Sequence, residues 1–247
     1  MSDDFNLAAY RGLLMGLMER GYEWRGYADA DPEKRHVIVR HDIDMSLDAA
    51  LPIAEIENAL GLKAHYFVLV RTELYNLFSA AAQDALRRLS ALGHEVGLHL
   101  DASLYDNDPV QLQQAAAEEC AVLEAATKAD VGLISFHRPV KALLGYPQTL
   151  AGRIHTYQPR FYTQMGYCSD SRGAWHHGHP LDHLAVREGR GLQLLTHPIW
   201  WMKDAPSPQA KVSAFLAARM DALDVALADN CSVHRAGQLR KNLGLGD

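Results

Sequence analysis

Short runs of apolar, β-favouring residues recur along the chain: HVIVR (36–40), AHYFVLV (64–70), EVGLH (95–99), VGLISF (131–136) and LQLLTH (192–197). Strands buried on both faces read as continuous apolar runs, and parallel strands need crossovers, usually helices. Helical patterns do separate these runs, so the chain is predicted to be α/β with a parallel sheet. Between the first two, Asp48 is placed to cap a helix that carries Pro52 in its first turn and stops at Gly61. In FSAAAQDALRRLSALG, Ser79 is the N-cap, Phe78, Ala82, Ala85, Leu89 and Leu92 share a face, and Gly93 ends the helix. Asp108-Pro109 opens another helix through about Thr127, and residues 207–229 form a long terminal one. Residues 139–191, rich in Gly, Pro, Tyr and His, are the least regular part.

Composition narrows the class. The 247 residues are 48% hydrophobic and 22% charged, with nothing near the roughly 20-residue apolar run of a membrane span. No repeat or linker interrupts the pattern, so a single catalytic domain over residues 1–247 is expected. The net charge of −6 speaks against a nucleic-acid surface. Cys120, Cys168 and Cys231 are too few and too scattered for a disulfide framework or a thiolate zinc site. Asp3 and Asp4 stand where a secretory signal would be basic, so a cytoplasmic location is expected.

Polar chemistry gathers where the apolar runs end: RHDID after the first, GLHLD after the third, SFHRP after the fourth and LLTHP after the last. In α/β folds the C-terminal strand ends converge on the face where active sites are built. His41, Asp42, Asp44, His99, Asp101, His137, Arg138 and His197 are therefore expected to be neighbours. Taken singly, a strand-end aspartate is more often a cap or turn former, and a histidine more often a surface or core residue. Their joint placement points to a metal hydrolase, because carboxylates and imidazoles suit Zn²⁺ first, with Fe, Co, Ni or Mn as alternatives, and a catalytic site needs about three protein ligands. Other features keep two readings. Trp175, Trp200 and Trp201 are an aromatic wall for a sugar ring or ordinary core anchors. Tyr75 and Asn76 position substrate or belong to a helix-entry loop. In WHHGHPLDH, His176, His177, His179 and His183 are expected in a solvated loop or lid rather than on a metal.

The motif order resembles the polysaccharide deacetylase (NodB homology) superfamily over roughly residues 36–201, as a divergent branch. RHDID resembles its Asp-Asp motif, which implies that Asp42 is the catalytic base and Asp44 a metal ligand, although Ile43 separates the pair. LGHEVGLHLD (92–101) resembles the signature around the first metal-binding histidine, here His99. The second histidine of that signature is missing, its position being Ser103, so the third ligand is left to His137 or Asp101, with His137 favoured by its place in SFHRP. The resemblance further implies that Arg138 orients the base. It casts Asp170 and Trp175 of YCSDSRGAW as supporting and pocket-wall residues, both counted among those that bind substrate. In LLTHPIWW, Leu195 would line the acyl pocket, Trp200 would contact substrate, and His197 would be the catalytic acid.

The fold so implied is a distorted or incomplete (β/α) barrel. The implied activity is metal-dependent removal of an N-acyl group, acetyl or formyl, from an amino sugar or sugar conjugate, either a small molecule or lipid-linked. An amidohydrolase acting on a non-sugar amide, and a catalytically silent carbohydrate-binding homologue, are the competing expectations.

Overall fold

The computed structural model describes residues 5–105, 108–176, 178–202, 205 and 207–237. Asp3, Asp4 and His177 lie outside them. The chain divides into two compact units, Met1–Asp204 and Ala205–Asp247.

The first unit runs α1 (Leu7–Glu19), β1 (Glu23–Trp24), β2 (His36–Ile43), α2 (Leu51–Ala59), β3 (His65–Leu69), α3 (Ala80–Ala91), β4 (Glu95–Asp101), α4 (Pro109–Thr127), β5 (Leu133–His137), β6 (Ile154–His155), β7 (Gly166–Ser169), α5 (Leu184–Glu188) and β8 (Leu192–Thr196). Every strand pairing is parallel. The order across the sheet is β6-β5-β4-β3-β2-β8-β7, with β1 beside the start of β2.

The sheet curls. Arg40 on β2 donates from Nη2 to Ser135 Oγ on β5 at 2.7 Å. Those strands are three steps apart in the sheet, about 14 Å if it were flat, which a guanidinium does not span. Likewise, Gln193 on β8 donates to the carbonyls of Thr156 and Phe161 beyond β6, both at 3.2 Å. Among the described residues no backbone ladder joins β6 to β7. The result is an incomplete (β/α) barrel, as expected, whose open side is bridged by side chains.

Tyr27, Ala30, Ile38, Phe67, Leu133, Phe161 and Met165 fill its interior. Gly97 on β4 makes room for this packing, since a Cβ there would lie 2.6 Å from the Phe67 ring and 2.9 Å from the Leu133 carbonyl oxygen.

Helix signals read from sequence mostly hold. Ser79 caps α3 by accepting from Ala82 N at 3.2 Å, Asp108 caps α4 by accepting from Val110 N at 3.0 Å, and Gly61 and Gly93 take the left-handed φ values of 72° and 84° that end helices. Two details differ. Asp48 lies inside a short 3-10 turn and caps nothing; Ser46 Oγ accepts from Ala49 N instead, at 3.3 Å. Phe78 is exposed, and Leu86 joins Ala82, Ala85 and Leu89 on the buried face of α3, because Phe78 lies in the turn closed by Ser79 N on the Asn76 carbonyl at 3.1 Å, outside the helix, and does not continue its periodicity.

The second unit holds α6 (Pro208–Asn230), capped by Ser207 Oγ on Ala210 N at 3.2 Å. Asp224 on this helix meets His234 Nε2 at 2.7 Å. No helix among the described residues is long and apolar enough to cross a membrane.

Candidate active site

Side chains alternate across a strand, so Arg40 and Asp42 of β2 point to one face and His41 to the other. On the inner face Arg40 is fully buried and grips Asp42 through two donors, Nε to Oδ1 at 3.0 Å and Nη2 to Oδ2 at 2.8 Å. Its remaining donors reach Thr156 Oγ1 at 2.6 Å and the Tyr157 hydroxyl at 3.1 Å, and the guanidinium lies 4.7 Å from the Tyr157 ring centroid. Ser135 Oγ is 3.2 and 3.3 Å from the two Asp42 oxygens. Burial alone would raise the Asp42 pKa, but the neighbouring charges, Arg40 foremost, lower it, so the carboxylate is held ionised.

Just beyond β2, Asp44 Oδ1 lies 3.1 Å from His99 Nε2 and 3.4 Å from His137 Nδ1. One donor atom from each of Asp44, His99 and His137 falls within 4.8 Å of the others. A carboxylate and two imidazoles in that spacing suit a catalytic divalent ion, which typically takes three protein ligands and keeps an open position. These residues could hold one; their donor chemistry fits the metal that the sequence implied. The two imidazole rings meet edge-on, 5.1 Å apart. Burial would raise the Asp44 pKa, yet hydrogen bonds to both histidines hold it well below the usual carboxylate range.

His197 follows β8. Its Nδ1 lies 2.6 Å from Asp170 Oδ1, and its backbone N–H donates to both Asp170 oxygens. Burial by itself would depress the imidazole pKa, but Asp170 more than reverses this and raises it to about 9. The other ring nitrogen, Nε2, is 3.9 Å from Asp44 Oδ2, and His99 Nε2 is 3.7 Å from Asp42 Oδ2. Asp42, Asp44, His99, His137 and His197, separated by up to 155 positions, therefore share one site at the C-terminal strand ends.

Two expectations require correction. Arg138 does not orient Asp42: it follows β5 with a left-handed φ of 50°, which turns its side chain onto Asp101. Asp42 is served by Arg40, and the period-2 alternation of a strand was the signal that paired them. Asp170 does not face a substrate, since it is fully buried and its oxygens are engaged by His197 and by Trp201 Nε1 at 2.7 Å. Its place is behind His197.

The aromatic residues divide. Trp200 and Trp201 are buried and Trp175 is half-buried. Trp175 packs on Phe5 and Trp201, with ring centroids 5.5 and 6.0 Å apart. Leu195 is buried on β8 in register with Arg40. The Tyr75 hydroxyl ties the ends of β2 and β3, donating to the Ile43 carbonyl and accepting from Leu69 N, both at 2.9 Å, and Asn76 Oδ1 accepts from Phe78 N at 3.0 Å. That is loop architecture. In the histidine-rich stretch, His179 and His183 accept through Nδ1 from Leu181 N at 3.3 Å and Ala185 N at 3.2 Å, and His176 Nε2 lies 2.7 Å from the Ser171 carbonyl oxygen. The described histidines there are helix caps and a loop tie.

Sequence reasoning did not find the cluster on the other face of β2. Here His41 Nε2 meets the buried Glu57 of α2 at 2.8 Å and its Nδ1 meets Thr196 Oγ1 at 2.6 Å. Tyr10 and Tyr66 each donate to Glu57 at 2.5 Å. A glutamate inside an amphipathic helix carries no sequence mark of such a partner.

No family model matches the chain, and no curated protein does. Among solved structures it is similar to a Streptococcus pyogenes deacetylase in complex with acetate, at 15% identity and a TM-score of 0.44 over 84% of this chain and 86% of that one. A pseudoenzyme of carbohydrate esterase family 4 from Bacillus anthracis matches at 14% identity and a TM-score of 0.43, over 76% of this chain and 61% of that one, so the chain spans about three fifths of that protein's length. A family 4 acetyl xylan esterase from Clostridium thermocellum, in complex with a cobalt ion, matches at 17% identity and a TM-score of 0.38, over 74% of this chain and 84% of that one.

Proposed function

We propose that the chain is a metal-dependent carbohydrate deacylase of the polysaccharide deacetylase type, which removes an acetyl or formyl group from the nitrogen of an amino sugar or sugar conjugate. The observation that carries this reading is the placing of Asp42 and His197 beside one donor set, with contacts of 3.7 Å from Asp42 to His99 and 3.9 Å from His197 to Asp44. Asp44, His99 and His137 would hold the ion. A divalent ion there supplies a Lewis acid that acidifies water and polarises an acyl carbonyl.

The protein's own residues do the rest. Asp42 accepts the proton lost by the attacking water. Arg40 keeps that carboxylate charged and aimed, and the pairing also limits its basicity, since a stabilised anion is a weaker base. His197 delivers a proton from Nε2 to the departing amine nitrogen while Asp170 fixes the opposite ring nitrogen. Amine expulsion without that proton is slow, and a positioned acid contributes about 10²–10⁴-fold.

The test is metal content by plasma emission together with amine release from a panel of N-acetyl and N-formyl sugars and non-sugar amides. Asp44→Ala, His99→Ala and His137→Ala are each expected to lose the ion, while Asp101→Ala retains it. Loss of the ion from Asp101→Ala but not from His137→Ala would reassign the third ligand. Turnover confined to non-sugar amides, or saturable binding with no turnover, would refute the carbohydrate deacylase reading.

A further inference from the structure

Beside the donor set lies a cavity of about 720 Å³ whose wall includes Asp44, His137, Arg71, Arg138, Leu74 and Leu104. The two arginines have a common construction. Arg138 is held by Asp101, whose side chain is 5% exposed, and Arg71 Nε meets Glu119, whose side chain is 4% exposed, at 3.2 Å. Arg71 also lies over the Tyr105 ring, 5.6 Å from its centroid. A buried carboxylate fixes each guanidinium in place, yet the arginine side chains themselves are 60% and 56% exposed. Each guanidinium meets one buried carboxylate, both arginines line the cavity, and neither has another ion-pair partner among the described residues.

A guanidinium already immobilised from behind loses little freedom when it binds a second group, and its planar donors match the oxygens of phosphate or carboxylate. The charges on the wall allow this. Asp101 and Glu119 are neutralised by the two arginines, Asp44 is taken up by His99 and His137, and Glu73, exposed on the same wall, is the carboxylate left over. Arg138 is also released from the task that sequence motifs assigned to it, because Arg40 has taken the base.

We infer that the substrate carries an anionic group, a phosphate or a carboxylate, near its scissile amide, and that Arg71 and Arg138 bind it. This rests on the deacylase reading above for the identity of the reacting bond, but the anion site stands or falls by its own binding. Leu74 and Leu104, exposed on the same wall, offer the apolar contact that a sugar's C–H face requires.

Calorimetric titration of inorganic phosphate and of acetate into the full chain tests it. Phosphate is expected to bind, and Arg71→Gln and the charge-balanced pair Arg138→Gln with Asp101→Asn are each expected to weaken it about tenfold or more. The second variant leaves no unpaired buried carboxylate, and circular dichroism verifies that both fold. Asp44→Ala, which dismantles the metal donor set, is expected to keep phosphate affinity within about threefold. Loss of phosphate binding in Asp44→Ala with none in the arginine variants would place the anion on the ion and overturn the inference.

Turnover of N-acylated sugar 1-phosphates, N-acylated aminouronates and neutral methyl glycosides then separates the sources. Preference for the first or second identifies the phosphate or the carboxylate, and equal turnover of the neutral glycoside overturns the inference while leaving the deacylase intact. Phosphate binding at the arginines with no amide hydrolysed would instead sink the deacylase reading and support the site.

Discussion

The two faces of β2 each bury an ionic cluster at the same level of the strand, with opposite outcomes. Inward, Arg40 and Asp42 lie next to Asp44, His99 and His197, with ion-pair contacts of 3.7 Å from Asp42 to His99 and 3.9 Å from Asp44 to His197, and Asp44 lines a cavity together with His137. Outward, His41, Glu57, Tyr10, Tyr66 and Thr196 satisfy one another beneath α1 and α2, and all are fully or almost fully buried. The outer set has the hydrogen-bond order of a hydroxyl, an imidazole and a carboxylate that elsewhere makes a nucleophile, but nothing can reach it. Ionisable residues at a strand end therefore say little until the alternation of the strand decides which of them join Asp44 and His137 beside the cavity and which are sealed beneath helices.

The sharpest test of the contrast is His197→Gln, which keeps a hydrogen-bonding side chain and removes the acid. Amide turnover is expected to fall by about 10²–10⁴, or about 3–5 kcal/mol of transition-state stabilisation, and the melting temperature falls as well, because the buried Asp170 loses its cationic partner. On the outer face, Glu57→Gln is expected to affect stability alone, lowering it by about 3 kcal/mol because His41 and two tyrosines lose a buried anion, with turnover per folded molecule within about threefold of the parent. Chemical denaturation and active-site titration read the two effects. A comparable fall in turnover for Glu57→Gln would erase the distinction between the faces.

A smaller effect sharpens it further. His155 on β6 is another sealed imidazole, buried beside Phe136 with ring centroids 5.1 Å apart, and burial lowers its pKa to about 4. A folded-state pKa below the unfolded value of about 6.5 means that the unfolded chain binds the proton first, so the stabilisation is complete above pH 6.5 and is lost as the pH falls toward 4. The contribution is of order 3 kcal/mol. His155→Phe should flatten the decline in melting temperature across that window, and an unchanged slope would show that this residue does not govern it.

How much of this was legible in sequence follows from the length and burial of each element. Strands β2, β3, β4, β5 and β8 are buried on both faces, so their apolar runs stood out, and α3, α4 and α6 carried caps. The two-residue β1 and β6, and β7 with its sequence GYCS, are too short or too polar to form a pattern; the neighbouring strands impose their conformation. At the site, parallel strands deliver their C-termini to one face, which brings Asp42, Asp44, His99, His137 and His197 together, whereas His41, expected among them, points to the opposite face of β2 and pairs with Glu57. Arg138 was misassigned because a left-handed φ at a non-glycine residue, here 50°, leaves no trace in residue identity. Glu57 and Thr196 were missed because their partners depend on which helix covers which strand.

The gap between β6 and β7 gives Arg40 a double burden. It crosses the barrel's unlaced side to Thr156 and Tyr157 and, with the same planar group, neutralises Asp42. Mortar and counter-ion are thus one side chain, so wall shape and proton acceptance cannot be tuned independently by changing it, and substrate preference is freer to drift among the rim loops than along this seam.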